Sequence, residues 1–288
     1  MMLGLGSELR KSVVPTASFS VDSLSEVRTW LRAEDNVTTD SGGVSRWRDK
    51  VGTADWVSNE SGRQPELVGS GVNARIRFDG NDRMYQKDYD WDASTDGPAF
   101  DFPHDRFDIM NVGGSGGFSL FIVMEVSDSL PQVAHTVLAE NHFVDDGVPG
   151  SGFTARTDIA GGIKVFTKGD FISTQGIDGS KVTFNSGTGA QSEFPLSPEA
   201  QTALDGTRKI LITIEYVGGT NGAISFRVNG ANKPVTNNTT GTLGVITVGE
   251  LGASMKADVY ELINCASKLS TDNRGLVEAY LLDRHSII

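Results

Sequence analysis

The chain has a single cysteine, Cys265. No intramolecular disulfide can form, and no zinc site can be built from thiolates. The thiol sits in a strand-like run, Val259 to Cys265, which reads as a packed core position. Positive charge is also scarce: 25 Lys and Arg stand against 37 Asp and Glu, for a formal net charge of −12. That sign argues against a general nucleic-acid binder and against attraction to an anionic membrane surface. Long apolar runs are missing. The most apolar, Phe118 to Val126, is far too short to cross a bilayer. The opening residues Met1 to Lys11 lack the apolar stretch of a secretory signal, so the expectation is a soluble chain made in a cytoplasm. There is no HExxH helix, no GxSxG elbow, no heptad stalk and no convincing repeat at a period of about 20–50 residues.

What is present is mostly strand. Glycine is abundant, 34 of 288 residues, and scattered without a collagen period. In Phe118 to Val126, Phe118, Leu120, Ile122, Met124 and Val126 share one face while Phe121 and Val123 occupy the other, which predicts a strand buried on both sides. Lys209 to Val217 behaves similarly. Ala223 to Asn229 alternates Ile224, Phe226 and Val228 with Ser225, Arg227 and Asn229, which predicts one wet face. The Asn229-Gly230 pair that follows is a hairpin-turn signal, because a type I′ turn needs positive φ at both positions. Further strands are expected at 74–78, 133–140, 153–156, 163–167, 243–248 and 258–264. One helix is expected at the end, capped by Ser270 or Thr271, with Leu276, Val277, Tyr280 and Leu281 as its apolar stripe. Many short strands with Gly, Asn and Asp turns and one helix predict an all-β antiparallel sandwich of jelly-roll type.

Two segments stand apart. Residues 1–20 form a leader of small and polar residues without helical or strand period, and 21–288 are expected to form the sandwich. Within the sandwich, residues 79–117 carry nine aspartates against three cations, a net −6, interleaved with Tyr85, Tyr89, Trp91, Phe100, Phe102 and Phe107. A connection of that length without its own periodicity is uncommon in a compact domain and is often functional.

The order and spacing of Trp30-Leu31-Arg32, Arg46-Trp47-Arg48-Asp49, Arg63-Gln64-Pro65-Glu66-Leu67 and Phe78-Asp79-Gly80 resemble the N-terminal half of concanavalin A-like lectin/glucanase (laminin-G-like) jelly-roll domains. The ending Asp258-Val259-Tyr260-Glu261-Leu262-Ile263, followed by Leu276 to Leu282, resembles the last core strand and terminal helix of the same family. The resemblance spans about residues 24–285 and implies a concanavalin A-like fold. Met2 to Ser7 is similar to short leaders of tailed-phage virion proteins, which often carry such domains.

Glycoside hydrolysis, which this fold hosts, needs two carboxylates on one face of a strand. The nearest pattern, Glu125-Val126-Ser127-Asp128, puts its pair on opposite faces, so no catalytic residue is assigned. Hard oxygen donors suited to calcium occur at Asp79, Asn81 and Asp82 and at Asp145 and Asp146; both places also read as ordinary Asx turns. Sugars are gripped by aromatic faces beside planar polar groups. Tyr85, Tyr89, Asp90, Trp91 and Asp92 have that composition, and His142 belongs to a second candidate loop; the aromatics could equally pin the long loop to the sandwich. Leu3, Leu5, Arg10 and Lys11 are the candidate partner anchor.

The resemblance implies a non-enzymatic virion structural protein of a tailed phage, at the virion surface, used for decoration or adhesion, with carbohydrate binding by the lectin-like sandwich. Its implied partners are other capsid or tail proteins, a host cell-surface glycan and further copies of itself in a homo-oligomer. The alternatives are a free carbohydrate-binding module and a divergent glycoside hydrolase.

Overall fold

A computed structural model describes residues 19–51, 55–58, 62–79, 82, 84–86, 117–126, 135–140, 143–144, 154–155, 161–165, 181–185, 191–195, 209–217, 224–234, 250–251 and 256–288. In chain order the strands are β1 (Val27–Arg32), β2 (Val37–Asp40), β3 (Gly43–Trp47), β4 (Trp56–Val57), β5 (Glu66–Val68), β6 (Arg75–Asp79), β7 (Met84–Gln86), β8 (Phe118–Val126), β9 (His135–Glu140) and β10 (Phe143–Val144). They continue with β11 (Thr154–Ala155), β12 (Gly161–Val165), β13 (Lys181–Asn185), β14 (Gln191–Pro195), β15 (Lys209–Tyr216), β16 (Ile224–Val228), β17 (Ala231–Lys233), β18 (Glu250–Leu251) and β19 (Lys256–Cys265). Helix α1 is Thr271–Arg284. The candidate strand at 243–248 lies outside the described residues.

The strands form two antiparallel sheets, the all-β sandwich expected from the periodicity. The first runs β17-β16-β15-β8-β19-β6-β5 and the second β14-β13-β12-β9-β18-β7-β4-β3-β2; β10 and β11 pair separately. β19 is the hub of the first sheet. Along one edge it pairs β8, with an irregularity between Val259 and Glu261. Along the other it pairs β6 through Lys256 to Val259 and β1 through Glu261 to Cys265.

Between the sheets lies one core. It contains Trp47, Trp56, Phe78, Phe118, Leu120, Ile122, Met124, Ile212, Ile214, Tyr216 and Phe226. Each such side chain contributes roughly 1.5–3 kcal/mol of transfer free energy. A second core lies on the outer face of the first sheet, where Phe121, Val123, Leu211, Ile263 and Cys265 pack beneath Val277 and Leu281 of α1 and beside Val21 and Trp30. The two-sided burial of β8 thus arises from a partner sheet on one face and a helix on the other. Burial pushes the Cys265 thiol up to about 12.

The turn at Asn229 and Gly230 has φ of 50° and 74°, the positive pair the Asn-Gly signal requires. Helix α1 is capped by Ser270, whose side chain accepts from the Asn273 N–H. Two expectations need correction. Leu276 is 46% exposed rather than part of the buried stripe, because the helix turns Val277, Glu278 and Leu281 inward instead. Arg227 does not face open water: it donates to Glu278 of α1 at 2.8 Å, so the helix overlies part of the polar face of β16.

Candidate functional site

Register fixes which connections share an end of the sandwich. β7 pairs antiparallel with β18, and β18 pairs antiparallel with β9. β7 and β9 therefore run the same way, one strand apart, and the chain leaves both at the same end of the second sheet. β6 runs toward Asp79 in the first sheet and the chain crosses to β7 directly afterwards, so Asp79 lies at the opposite end. β8 lies parallel to β6 across β19, so Phe118 starts at the end where β7 finishes. At this end Phe118 and Tyr216 stack with centroids 6.0 Å apart and an interplanar angle of 25°, both fully buried.

The candidate residues divide accordingly. Tyr85 lies in β7, in register with Val57 and Glu250. Tyr89, Asp90, Trp91 and Asp92 follow β7 in the chain and His142 follows β9; all five lie outside the described residues, as do Asn81, Asp145, Asp146, Leu3, Leu5, Arg10 and Lys11. The topology brings the departures toward Tyr89–Asp92 and toward His142 to one end, and puts Asp79 and Asp82 at the other.

Asp82 is buried, 7% exposed, and its carboxylate accepts from the Asp79 N–H at 2.9 Å. That bond spans the crossing between the sheets, the Asp82 side chain reaching back three residues rather than forward as in the expected Asx turn. Among the described residues no cluster of three or more His, Cys, Asp or Glu is placed to hold a metal ion. Burial is the main cause that raises the Asp82 pKa to about 6, and the nearby Asp79 charge adds to it, while the Asp79 N–H acts in the other direction. The folded state therefore holds this proton more tightly than the unfolded chain does. Its contribution to stability falls as pH rises from about 4 to about 6. Asp82→Asn, which keeps an acceptor for the Asp79 N–H, is expected to gain roughly 1–2 kcal/mol at pH 7.5, the shift being discounted for solvent screening. Thermal melts should show that gain vanish near pH 4. If this turn holds calcium, added calcium should raise the melting temperature of the wild type at pH 7.5 and not that of the variant.

A further polar group, which sequence reasoning missed, lies on the outer face of the first sheet where α1 does not reach. Lys209, Glu125, Asp258, Arg77 and Glu66 form one cross-strand row over β15, β8, β19, β6 and β5. Asp258 accepts from Arg75 Nε at 2.7 Å and from Arg77 at 2.8 and 3.1 Å. Glu125 accepts from the Tyr260 hydroxyl at 2.9 Å. The Lys209 ammonium lies 4.1 Å from the centroid of the Tyr260 ring. Glu125 and Asp258 are register neighbours across β8 and β19. Both oxygens of Asp258 are taken by guanidinium donors. Burial and the hydrogen bond to Glu125 raise the Tyr260 pKa above its ordinary value. The signal in sequence was the alternation Arg75-Ile76-Arg77-Phe78; its acceptor Asp258 lies more than 180 residues away.

No family model and no curated protein matches this chain. Solved structures do. The binding domain of botulinum neurotoxin DC in complex with SialylT matches with a TM-score of 0.53 and 10% identity, over 91% of this chain and 52% of that one. The receptor binding domain of botulinum neurotoxin D matches with a TM-score of 0.50 and 9% identity, over 91% of this chain and 54% of that one. The chain thus spans about half the length of the structures it matches. At such identities the likeness is one of fold: a β-sandwich shared with toxin binding domains.

Proposed function

We propose that this chain is a non-enzymatic, lectin-like surface protein of a tailed-phage virion that recognises carbohydrate at the Phe118 end of its sandwich. The observation that carries the reading is the common direction of β7 and β9. The chain leaves β7 toward Tyr89, Asp90, Trp91 and Asp92, and leaves β9 toward His142, at the same end of the second sheet. The likeness of fold to a toxin binding domain solved with SialylT supports a sugar as the ligand class. The engagement of Glu125 and Asp258 by Tyr260 and arginine donors supports binding without hydrolysis. The virion setting rests on the resemblance of the leader and the sandwich to phage proteins. Virion partners and self-association belong to the same proposal, with Leu3, Leu5, Arg10 and Lys11 as the anchor.

The test is a glycan array probed with the purified chain, with calcium and then with EDTA. A hit is expected, and chelator sensitivity would assign calcium to one of the two aspartate turns. Trp91→Ala and Tyr89→Ala should weaken binding more than about tenfold, since each removes a large aromatic contact surface, without changing the melting curve. Silence in both arms would sink glycan recognition and leave a purely structural decoration role. Loss of fold in the variants would show that these aromatics are packing elements.

A further inference from the structure

The edges of the two sheets are not alike. In path order the first sheet ends at β17 and β5 and the second at β14 and β2. β17 carries Lys233 and is followed by Pro234, β14 ends in Pro195, and Pro65 precedes β5. Proline and lysine at an edge discourage pairing with another chain. The free edge of β1 is occupied: Trp30 donates its N–H to Asp49 Oδ1 at 2.9 Å, and its carbonyl accepts from the Lys50 N–H at 2.9 Å. β2, Val37-Thr38-Thr39-Asp40, has none of these devices. Its last three residues are exposed, and among the described residues only β3 pairs with it. The extra residue in that ladder belongs to β3: Arg46 pairs Thr38 and Val44 pairs Thr39, so Ser45 is unmatched and β2 runs without interruption. Asn36 and Thr38 turn their carbonyls toward β3, to the Arg48 N–H at 3.1 Å and the Ser45 hydroxyl at 3.3 Å. By alternation the N–H and C=O groups of Val37 and Thr39 point to the open side.

We infer that β2 is the contact strand of a two-fold homodimer, pairing antiparallel with β2 of a second copy so that their nine-stranded sheets run on as one. Residues opposite each other must lie on the same face of the joined sheet. The register with Thr38 opposite Thr38 meets this condition and sets Val37 opposite Thr39, so their outward backbone groups bond reciprocally. Charge fits the same geometry, which brings the Asp40 end of each copy to the Asn36 end of the other. Arg48 stands at the Asn36 end. Its side chain is 53% exposed, and its guanidinium makes no hydrogen bond among the described residues, Asp55 lying 3.7 Å away. Asp40 is exposed and is held by the Gly42 N–H at 2.8 Å and by Gln64 Nε2 at 3.1 Å. The two-fold axis repeats this pairing of opposite charges at both ends of the contact. The inference rests on the self-association in the proposed function and names its interface; it is independent of glycan recognition.

The experiment is sedimentation equilibrium of the full chain over a dilution series, at low and at physiological salt. The strand is short, so a weak, concentration-dependent dimer is expected, weaker still at the higher salt. Thr39→Pro removes an outward N–H at an edge, where proline is tolerated. It should weaken association about tenfold or more, through the lost reciprocal bonds, and leave the melting curve unchanged. Thr38→Cys supplies an accessible thiol, the native Cys265 being buried. Under mild oxidation it should give a covalent dimer, because opposed residues on the axis lie within disulfide reach. Val72→Cys, exposed just beyond β5, should not. That readout holds even where Thr39→Pro unfolds the sheet. A wild type that stays monomeric at every concentration would overturn self-association and the interface together. A dimer that survives unchanged in folded Thr39→Pro, or equal crosslinking of the two cysteine variants, would overturn the interface alone. Silence of the glycan array bears on neither.

Discussion

Glu261→Ala is expected to cost about 3–5 kcal/mol in urea unfolding, the price of stranding partners around a lost buried charge. Glu261 is 1% exposed. Its Oε1 accepts from Trp30 Nε1 at 2.7 Å and from the Tyr280 hydroxyl at 3.2 Å. Its Oε2 faces His285 Nε2 at 2.8 Å and Arg284 Nε at 3.2 Å. One carboxylate on β19 thus ties down β1 and the last turns of α1. Arg284 also pairs with Glu34, which pairs with Arg32. Alanine would leave the indole N–H, the phenol and a guanidinium without their common acceptor. Hydrogen exchange should show α1 opening ahead of the sheets. Glu66→Ala, at a carboxylate 67% exposed, should change stability by less than about 0.5 kcal/mol and serves as the control. Equal effects of the two substitutions would refute the account.

Arg274→Met should be nearly as damaging, again by about 3–5 kcal/mol. Arg274 is the cation on the buried Glu215 of β15, at 2.8 Å, and Glu215 is fully shielded from solvent. Among the described residues its other oxygen accepts a single long bond, 3.4 Å, from Ser119. Methionine preserves most of the packing of the arginine stem while leaving that carboxylate alone in the interior. The informative variant is the double one, Arg274→Met with Glu215→Met. Exchanging a whole buried pair for apolar side chains is often neutral or stabilising, so the double variant should recover most of the loss. A double variant as unstable as the sum of its parts would show that the pair acts through something other than mutual charge.

The strands of the first sheet were legible because their burial is periodic. β8, β15 and β19 carry apolar residues at alternate positions, and local alternation is what sequence records. The Asn229-Gly230 turn and the Ser270 cap were legible for the same reason: each is decided by one or two neighbouring residues. What covers the outer face of β8 was not legible, since it depends on a helix about 150 residues further along the chain. Glu215 and Glu261 are lone carboxylates in apolar strands, and it is the helix above them that supplies their partners. Leu276 and Val277 are adjacent, and the helical stripe alone could not say which of the two turns inward. The candidate site shows the same division. The composition of the loops after β7 and β9 could be read directly, but their departure from one end depends on β18, a two-residue strand from a distant part of the chain. The row from Lys209 to Glu66 draws one residue from each of five strands, and no local window contains it.

The position of β19 governs how this chain can fold as it is made. The middle of the first sheet is completed by residues 256–265, which leave the ribosome after the other described strands of that sheet. Until then β8, apolar on both faces, has no neighbour along one of its edges, and β1 and β6 have no central strand to join. Vectorial folding therefore cannot close this sheet strand by strand. Its pairings span most of the sequence, which makes assembly slow and exposes the half-built sheet to intermolecular pairing. A nascent chain that stalls before Lys256 would lack the keystone of the sheet rather than an edge.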